Sequence, residues 1–169
     1  CTVARLEYRK GHHLVLESLN LLKKNHNIDL KYAILGNGPE LSRLKDLVMK
    51  FNLLKQVSFF EENTRSSKVY NMSKIHIMPS ITTSNSVEGF GISNVEAAAF
   101  GLPSIVSDSG GISESIKNNG IIVKENNLED LTNAILKVHN NISKFSKNSQ
   151  KFSIKFDQIR KIKEYLKSF

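Results

Sequence analysis

Two carboxylates, Glu88 and Glu96, bracket a short glycine turn, Glu88-Gly89-Phe90-Gly91, and two cations, Arg5 and Lys10, stand near the start of the chain. Glycine backbone leading into a helix presents N–H groups at the positive end of the helix dipole, an arrangement that binds phosphate. The loop carrying Arg5, Arg9, Lys10 and Gly11 would supply cations from the opposite side. Together the two loops describe a diphosphate site. Glu96 falls five residues after Gly91. A carboxylate in that second helical turn accepts hydrogen bonds from vicinal hydroxyls, as acidic residues do with ribose in nucleotide-binding folds. Glu88 lies just before the helix, facing the mouth of the site, where a sugar beyond the phosphates would sit. Singly, each feature has a plain structural reading: a tight strand-to-helix turn, a solvated lysine, an exposed helix carboxylate. Their weight comes from sharing one crevice.

The elements that must build that crevice are legible as an alternation. Short apolar, β-branched runs at 2–6, 30–35, 57–60, 75–78, 104–107 and 121–123 read as strands. Helix-period stretches lie between them, at 13–24, 40–51, 65–73, 91–100 and 128–139. Pro39 opens the second, and Asn127 is placed to cap the fifth. Strict β-α alternation with short connections predicts an α/β fold, a doubly wound, Rossmann-like parallel sheet of six strands with helices on both faces. For the strand order 3-2-1-4-5-6 the ligand crevice opens at the carboxyl ends of strands one and four. The loops after those strands carry Arg5 and Lys10 on one side and Glu88 to Gly91 on the other. Ala97, Ala98 and Ala99 allow the helix behind Gly91 to pack closely on the sheet. After Val123 only helices are expected, ending in a stripe of Ile159, Ile162, Tyr165 and Leu166.

Bulk properties exclude several classes. The 169 residues suit a single domain, and 40% hydrophobic with 24% charged residues is an ordinary globular composition. No apolar run approaches the roughly 18 residues that span a bilayer, and no signal peptide is present. A lone cysteine, Cys1, fits a reducing compartment, and a start without methionine inside a strand-like run reads as a piece of a longer protein. The net charge of +8 gathers in the tail, where residues 137–169 carry nine Lys and Arg against Asp157 and Glu164. That surplus reads first as a solvated helical face, with contact to anionic lipid left open and no nucleic-acid motif beside it.

Other candidates carry less. Gly36-Asn37-Gly38-Pro39 follows the second strand and lacks the third glycine of a dinucleotide loop, so it reads as a turn lining a nucleotide pocket. Gly110-Gly111 either caps a helix or brings backbone close to a ligand. The five histidines show no metal-ligand spacing, and no metal site is expected. His76 reads as a core residue, and Ser80 has no nucleophile-elbow context.

These motifs, in this order, resemble the C-terminal domain of GT-B glycosyltransferases of the family 4, or group 1, type. The series runs Arg5-Leu6, Lys10-Gly11, Gly36 to Pro39, Pro79-Ser80, Glu88 to Glu96, Gly101-Leu102-Pro103, Gly110-Gly111 with Glu114, and Gly120 to Val123. The resemblance implies a donor-binding domain over residues 1–150 and a terminal helix, 151–169, directed toward an N-terminal acceptor domain that is missing here. It implies that Arg5 and Lys10 neutralise the donor diphosphate and that Glu88 contacts the donor sugar. It further implies that Glu96 holds the ribose, with Gly38, Gly89, Phe90, Gly91 and Ile92 lining the donor site. The implied activity is retaining transfer of a hexose-type sugar from a UDP- or GDP-sugar, without a cofactor or divalent metal. Lys- and Asn-rich usage points to a bacterial source, and the place expected is the cytoplasm or the inner face of the membrane. Ala4, where the family has glycine, and Glu61-Glu62, where a glycine is usual, depart from the pattern. A non-catalytic nucleotide-sugar-binding module and a nucleotide-sugar epimerase on the same fold are the competing readings. A dehydrogenase lacks its glycine fingerprint after the first strand.

Overall fold

The computed structural model describes residues 1–152 apart from Asn85 and Lys117. The expected terminal helix 151–169, with its stripe from Ile159 to Leu166, therefore lies outside the described residues except at Lys151 and Phe152.

Strands and helices alternate except between the last two strands, which a 3-10 turn at Ile112–Ser115 joins: β1 Thr2–Val3, α1 His12–His26, β2 Tyr32–Leu35, α2 Leu41–Lys50, β3 Val57–Phe60, α3 Ser66–Asn71, β4 His76–Met78, α4 Ile92–Ala99, β5 Ser104–Ser107, β6 Gly120–Val123 and α5 Leu128–Asn140. A further helical stretch occupies residues 142–152. The strands form two parallel three-stranded sheets, β1-β2-β3 and β4-β5-β6. They abut at β1 and β4, where the Ile77 amide donates to the Cys1 carbonyl at 2.8 Å and the Thr2 hydroxyl donates to the Ile77 carbonyl at 2.5 Å. The expected order 3-2-1-4-5-6 is thus present, but as two short ladders in contact instead of one continuous sheet. The cause is the brevity of β1. Beyond Val3 the partner runs out: the Ala4 amide still reaches the carbonyl of Leu35, the last residue of β2, at 3.1 Å, but the Leu6 amide meets the Asn37 carbonyl of the following loop at 2.9 Å.

Alternation along the strands separates two cores. Tyr32, Ile34, Ile77 and Ile105 face α1, α2 and α5, joining Leu16, Leu19, Leu22, Leu44, Leu131 and Ile135. Leu35 faces the other way, with Val69 and Tyr70 of α3 and Ala97 of α4. Met78 and Val106 pack with Ile112 and Ile116. Ala97 and Ala98 are fully buried, so α4 lies close to the sheet, while Ala99 points outward. Asn127 caps α5 as its sequence suggests, accepting from the Asp130 amide at 2.9 Å. Pro39 stands two residues outside α2, whose capping residue is Glu40. A displacement of one or two residues is typical of helix boundaries.

Candidate functional site

The loops after β1 and β4 are stitched together at the carboxyl ends of the strands. Tyr8–Lys10 forms a 3-10 turn closed by Gly11, whose φ of 68° is left-handed. A Cβ at Gly11 would overlap the Pro79 carbonyl, so only glycine lets the two loops approach this closely. The Ile81 amide then donates to the Arg9 carbonyl at 2.7 Å. These contacts carry Lys10 and Glu88 into one place. Lys10 Nζ donates to Glu88 Oε2 at 2.6 Å and Arg9 Nη1 to the same oxygen at 3.1 Å. The Lys10 and Glu88 side chains are only 11% and 12% exposed, so the pair is nearly dry. Charges that far from water require each other, and loss of either partner leaves the other uncompensated. Arg9 also holds Glu7 through Nε at 2.9 Å, and Glu7 in turn meets Arg5 at 3.3 Å. A line of alternating charge therefore runs Arg5–Glu7–Arg9–Glu88–Lys10. Arg5 is its outer end, with a side chain 74% exposed.

The glycine turn is held from beneath by Gly110-Gly111. A Cβ at Gly110 would overlap the Glu88 carbonyl and one at Gly111 the Gly89 carbonyl, while the Gly111 amide donates to the Glu88 carbonyl at 3.0 Å. The glycine pair thus serves as the seat of the Glu88–Gly89 backbone. Gly91, at φ 73°, opens α4, and a Cβ there would fall 2.6 Å from Asn94 Nδ2 and 2.9 Å from Met78 Cε. The first N–H groups of a helix have no partner within it. In α4 the Asn94 amide turns back to the Gly91 carbonyl at 2.9 Å, and Phe90 and Ile92 stand exposed at this end of the helix.

Glu96 is exposed on α4 and separate from the ion-pair line. Tyr70 of α3, fully buried, donates its hydroxyl to Glu96 Oε2 at 3.0 Å, with the Ser93 carbonyl at 3.4 Å. Burial, then the Glu96 charge and its hydrogen bond, raise the Tyr70 pKa well above the usual phenolic value, so this group stays a donor. Gly38 packs on Leu6, where a Cβ would stand 2.5 Å from the Leu6 carbonyl oxygen. Its neighbours Gly36 and Asn37, with Phe60, Glu61 and Glu62, line a cavity of about 490 Å³ beside it. The two glutamates that depart from the family pattern are therefore walls of that cavity.

Three further groups support the floor. His12 is enclosed behind the first loop, its Nε2 3.2 Å from the Arg5 carbonyl and its Nδ1 3.3 Å from the Tyr32 hydroxyl, and burial lowers its pKa to about 4. His76 is likewise buried, its Nδ1 3.4 Å from the Ser104 hydroxyl and its pKa lowered to about 3 by burial. Thr82, after β4, is tied to Glu125 by its amide and, at 2.9 Å, by its hydroxyl, which also meets Ser109 at 2.9 Å. Of these, only His76 was singled out by its position in the sequence. Glu7, Tyr70 and Glu125 lacked a sequence signal, because each acts through a partner supplied by another loop or helix.

Comparison with known proteins gives the family and the fold. The family model "Glycosyl transferases group 1" matches residues 1–155. The chain is 30% identical over 135 residues to a putative colanic acid biosynthesis glycosyltransferase, WcaL, of Salmonella typhimurium, covering 77% of this chain and 33% of WcaL. It is 32% identical over 133 residues to an uncharacterized glycosyltransferase of Methanocaldococcus jannaschii, covering 76% of this chain and 32% of that one. The chain thus spans about a third of the length of these curated relatives. The fold also superposes on the pneumococcal O-GlcNAc transferase GtfA, solved with UDP and GlcNAc, at a TM-score of 0.83, 19% identity, and coverage of 99% of this chain and 35% of GtfA. HepE of Anabaena, solved with UDP, superposes at a TM-score of 0.80 and 19% identity, with 99% and 48% of the two chains covered. Among the described residues no helix is long and apolar enough to cross a membrane. A doubly wound chain whose motifs converge on one crevice, and whose sequence matches the family model over residues 1–155, belongs to the group 1 glycosyl transferases of the GT-B type.

Proposed function

We propose that this domain binds the nucleotide-sugar donor of a retaining glycosyltransferase in the crevice between the loops after β1 and β4. The observation that carries the reading is the nearly dry Lys10–Glu88 pair, reinforced by Arg9, at the N-terminus of α4. A cationic pocket beside a helix N-terminus stabilises a diphosphate both bound and departing, taking over what a divalent metal does elsewhere. Lys10 and Arg5 are assigned to the diphosphate, the second from the rim, where its exposure lets it swing onto a ligand. Glu96 is assigned to the ribose hydroxyls and Glu88 to the donor sugar, with Gly89, Phe90, Gly91 and Ile92 lining its path. Gly38 shapes the wall of the neighbouring cavity, which suits a nucleobase.

In the reaction the bond between the sugar's anomeric carbon and the diphosphate oxygen breaks. The acceptor hydroxyl oxygen forms the new bond on the same face, and its proton passes to the departing diphosphate. Lys10 and the α4 dipole stabilise the charge developing on that leaving group. GtfA and HepE were solved with UDP, which favours a uridine donor, and the sugar is proposed to be of hexose type. The acceptor is assigned to an N-terminal domain of the whole protein, so the chain alone binds donor and transfers little.

A thermal-shift panel of nucleoside diphosphates and nucleotide sugars tests this. UDP or GDP and their sugar conjugates should raise the melting temperature, and the corresponding nucleosides should do so far less. A panel without a shift from any diphosphate would overturn the reading.

A further inference from the structure

Glu96 is an exposed side chain on a helix face, and an exposed glutamate ordinarily samples several rotamers at little cost. Here one of its two oxygens is not free to do so. The Tyr70 hydroxyl, 3.0 Å away, donates to Oε2 from a ring that is completely buried. That ring is fixed on two sides, edge-on to His76 at 6.1 Å and tilted against Phe100 at 5.4 Å between centroids. The donor therefore cannot follow the carboxylate; the carboxylate must come to the donor. Its position is set by α3, by His76 of β4 and by Phe100 at the end of α4, not by the Glu96 side chain.

We infer that Tyr70 is the positioning residue of the donor site: its buried hydroxyl holds one oxygen of the exposed Glu96 carboxylate, leaving the other to accept from the vicinal ribose hydroxyls and so to select ribonucleotides over deoxyribonucleotides. The inference rests on the ribose role proposed for Glu96. A carboxylate tied at one oxygen presents the second at a fixed angle, and a preorganised acceptor loses less entropy when the diol arrives than a free one. The phenol also suits this task because it can donate without adding charge. A lysine in its place would neutralise the acceptor. Tyr70 itself touches no ligand in this account; it acts through Glu96.

The test is calorimetric titration of the 169-residue chain with UDP and 2′-deoxy-UDP, or with GDP and its 2′-deoxy counterpart if guanine binds better. The wild-type chain should prefer the ribonucleotide by about tenfold, as expected for a hydrogen bond to a charged acceptor. Tyr70→Phe keeps the ring and should bring that preference to within about twofold, mainly by weakening the ribonucleotide. General loosening of the fold would weaken both ligands alike and leave the ratio standing. Glu96→Asp gives a second arm at an exposed position that does not threaten folding. Its carboxylate withdraws by one methylene from Tyr70 and should lose the preference in the same way. A Tyr70→Phe chain that melts like wild type yet keeps the tenfold ratio overturns the positioning role alone, whereas a Glu96→Asp chain that keeps it overturns the ribose role of Glu96 and the positioning role together. A wild-type chain that binds no nucleoside diphosphate overturns the donor-site reading and this inference with it.

Discussion

Glu88 and Glu96 belong to one motif, yet the fold gives them opposite surroundings. Glu88 is nearly enclosed, shared between Lys10 and Arg9, on a loop pressed against Gly110-Gly111. Glu96 stands in solvent on α4, touched by a neutral phenol. The first environment makes a carboxylate part of the framework; the second leaves it available. Residue type therefore says little about role here, and the partner says most. A ligand that needs Lys10 must compete with Glu88, whereas one that needs Glu96 meets an acceptor already aimed.

The comparison breaks most visibly at its buried end. Lys10→Ala should leave Glu88 with Arg9 alone and lower the unfolding free energy by about 3 kcal/mol, read by urea denaturation. An unchanged midpoint would mean that the pair is not dry. Acid should also act on the enclosed side. His12 has a folded pKa of about 4 against an unfolded value of 6.5, so the unfolded chain binds protons first as pH falls. Stability is then present in full above pH about 6.5 and lost progressively toward pH 4, on the order of 3 kcal/mol if His12 acts alone. A urea series across that range should show the slope, and His12→Gln should reduce it, leaving the part due to His76, whose pKa is lowered to about 3. Gly111→Ala forces a methyl against the Gly89 carbonyl and should cost roughly 1–3 kcal/mol. It should also weaken diphosphate binding, since the glycine turn shifts with it; stability without a binding loss would separate the seat from the site.

At the exposed end the effects move from stability to binding. Glu96→Ala should weaken nucleotide binding by about 1.5–3 kcal/mol while lowering stability by about 1 kcal/mol or less. Arg5→Ala should be the quietest, within roughly 0.5 kcal/mol in stability, because among the described residues its ion pair is with Glu7 at the surface end of the line. Its effect should appear with diphosphates and vanish with nucleosides.

Much of this was legible in the sequence, and the gaps have physical causes. Val57–Phe60 and Ser104–Ser107 match the expected strands to the residue, because each is a short apolar or small run between turn residues, the first half-exposed at a sheet edge and the second buried throughout. The first strand was read as 2–6, but its ladder ends at Val3. Ala4 still bonds to Leu35 of β2, but Leu6 bonds to Asn37 of the next loop, and local pattern cannot tell a strand partner from a loop partner. The alternation did place Lys10 and Glu88 in one crevice. It could not assign Gly110-Gly111 between two roles, since the decisive neighbour, the Glu88–Gly89 backbone, lies more than twenty residues away. Tyr70 was hidden for the same reason: in sequence it is one more apolar position of α3, and its hydroxyl has meaning only beside Glu96. The departure at Glu61-Glu62 was visible, but its place in the wall of the neighbouring cavity was not.

The central claim, that the crevice at the ends of β1 and β4 is a diphosphate site, is tested most directly by titrating UDP, GDP and their nucleosides into the wild-type chain and into Lys10→Ala. The account predicts that the substitution removes most of the diphosphate affinity, by about tenfold or more, and leaves nucleoside affinity nearly unchanged. Equal loss for both kinds of ligand, or diphosphate binding untouched by the substitution, would contradict it.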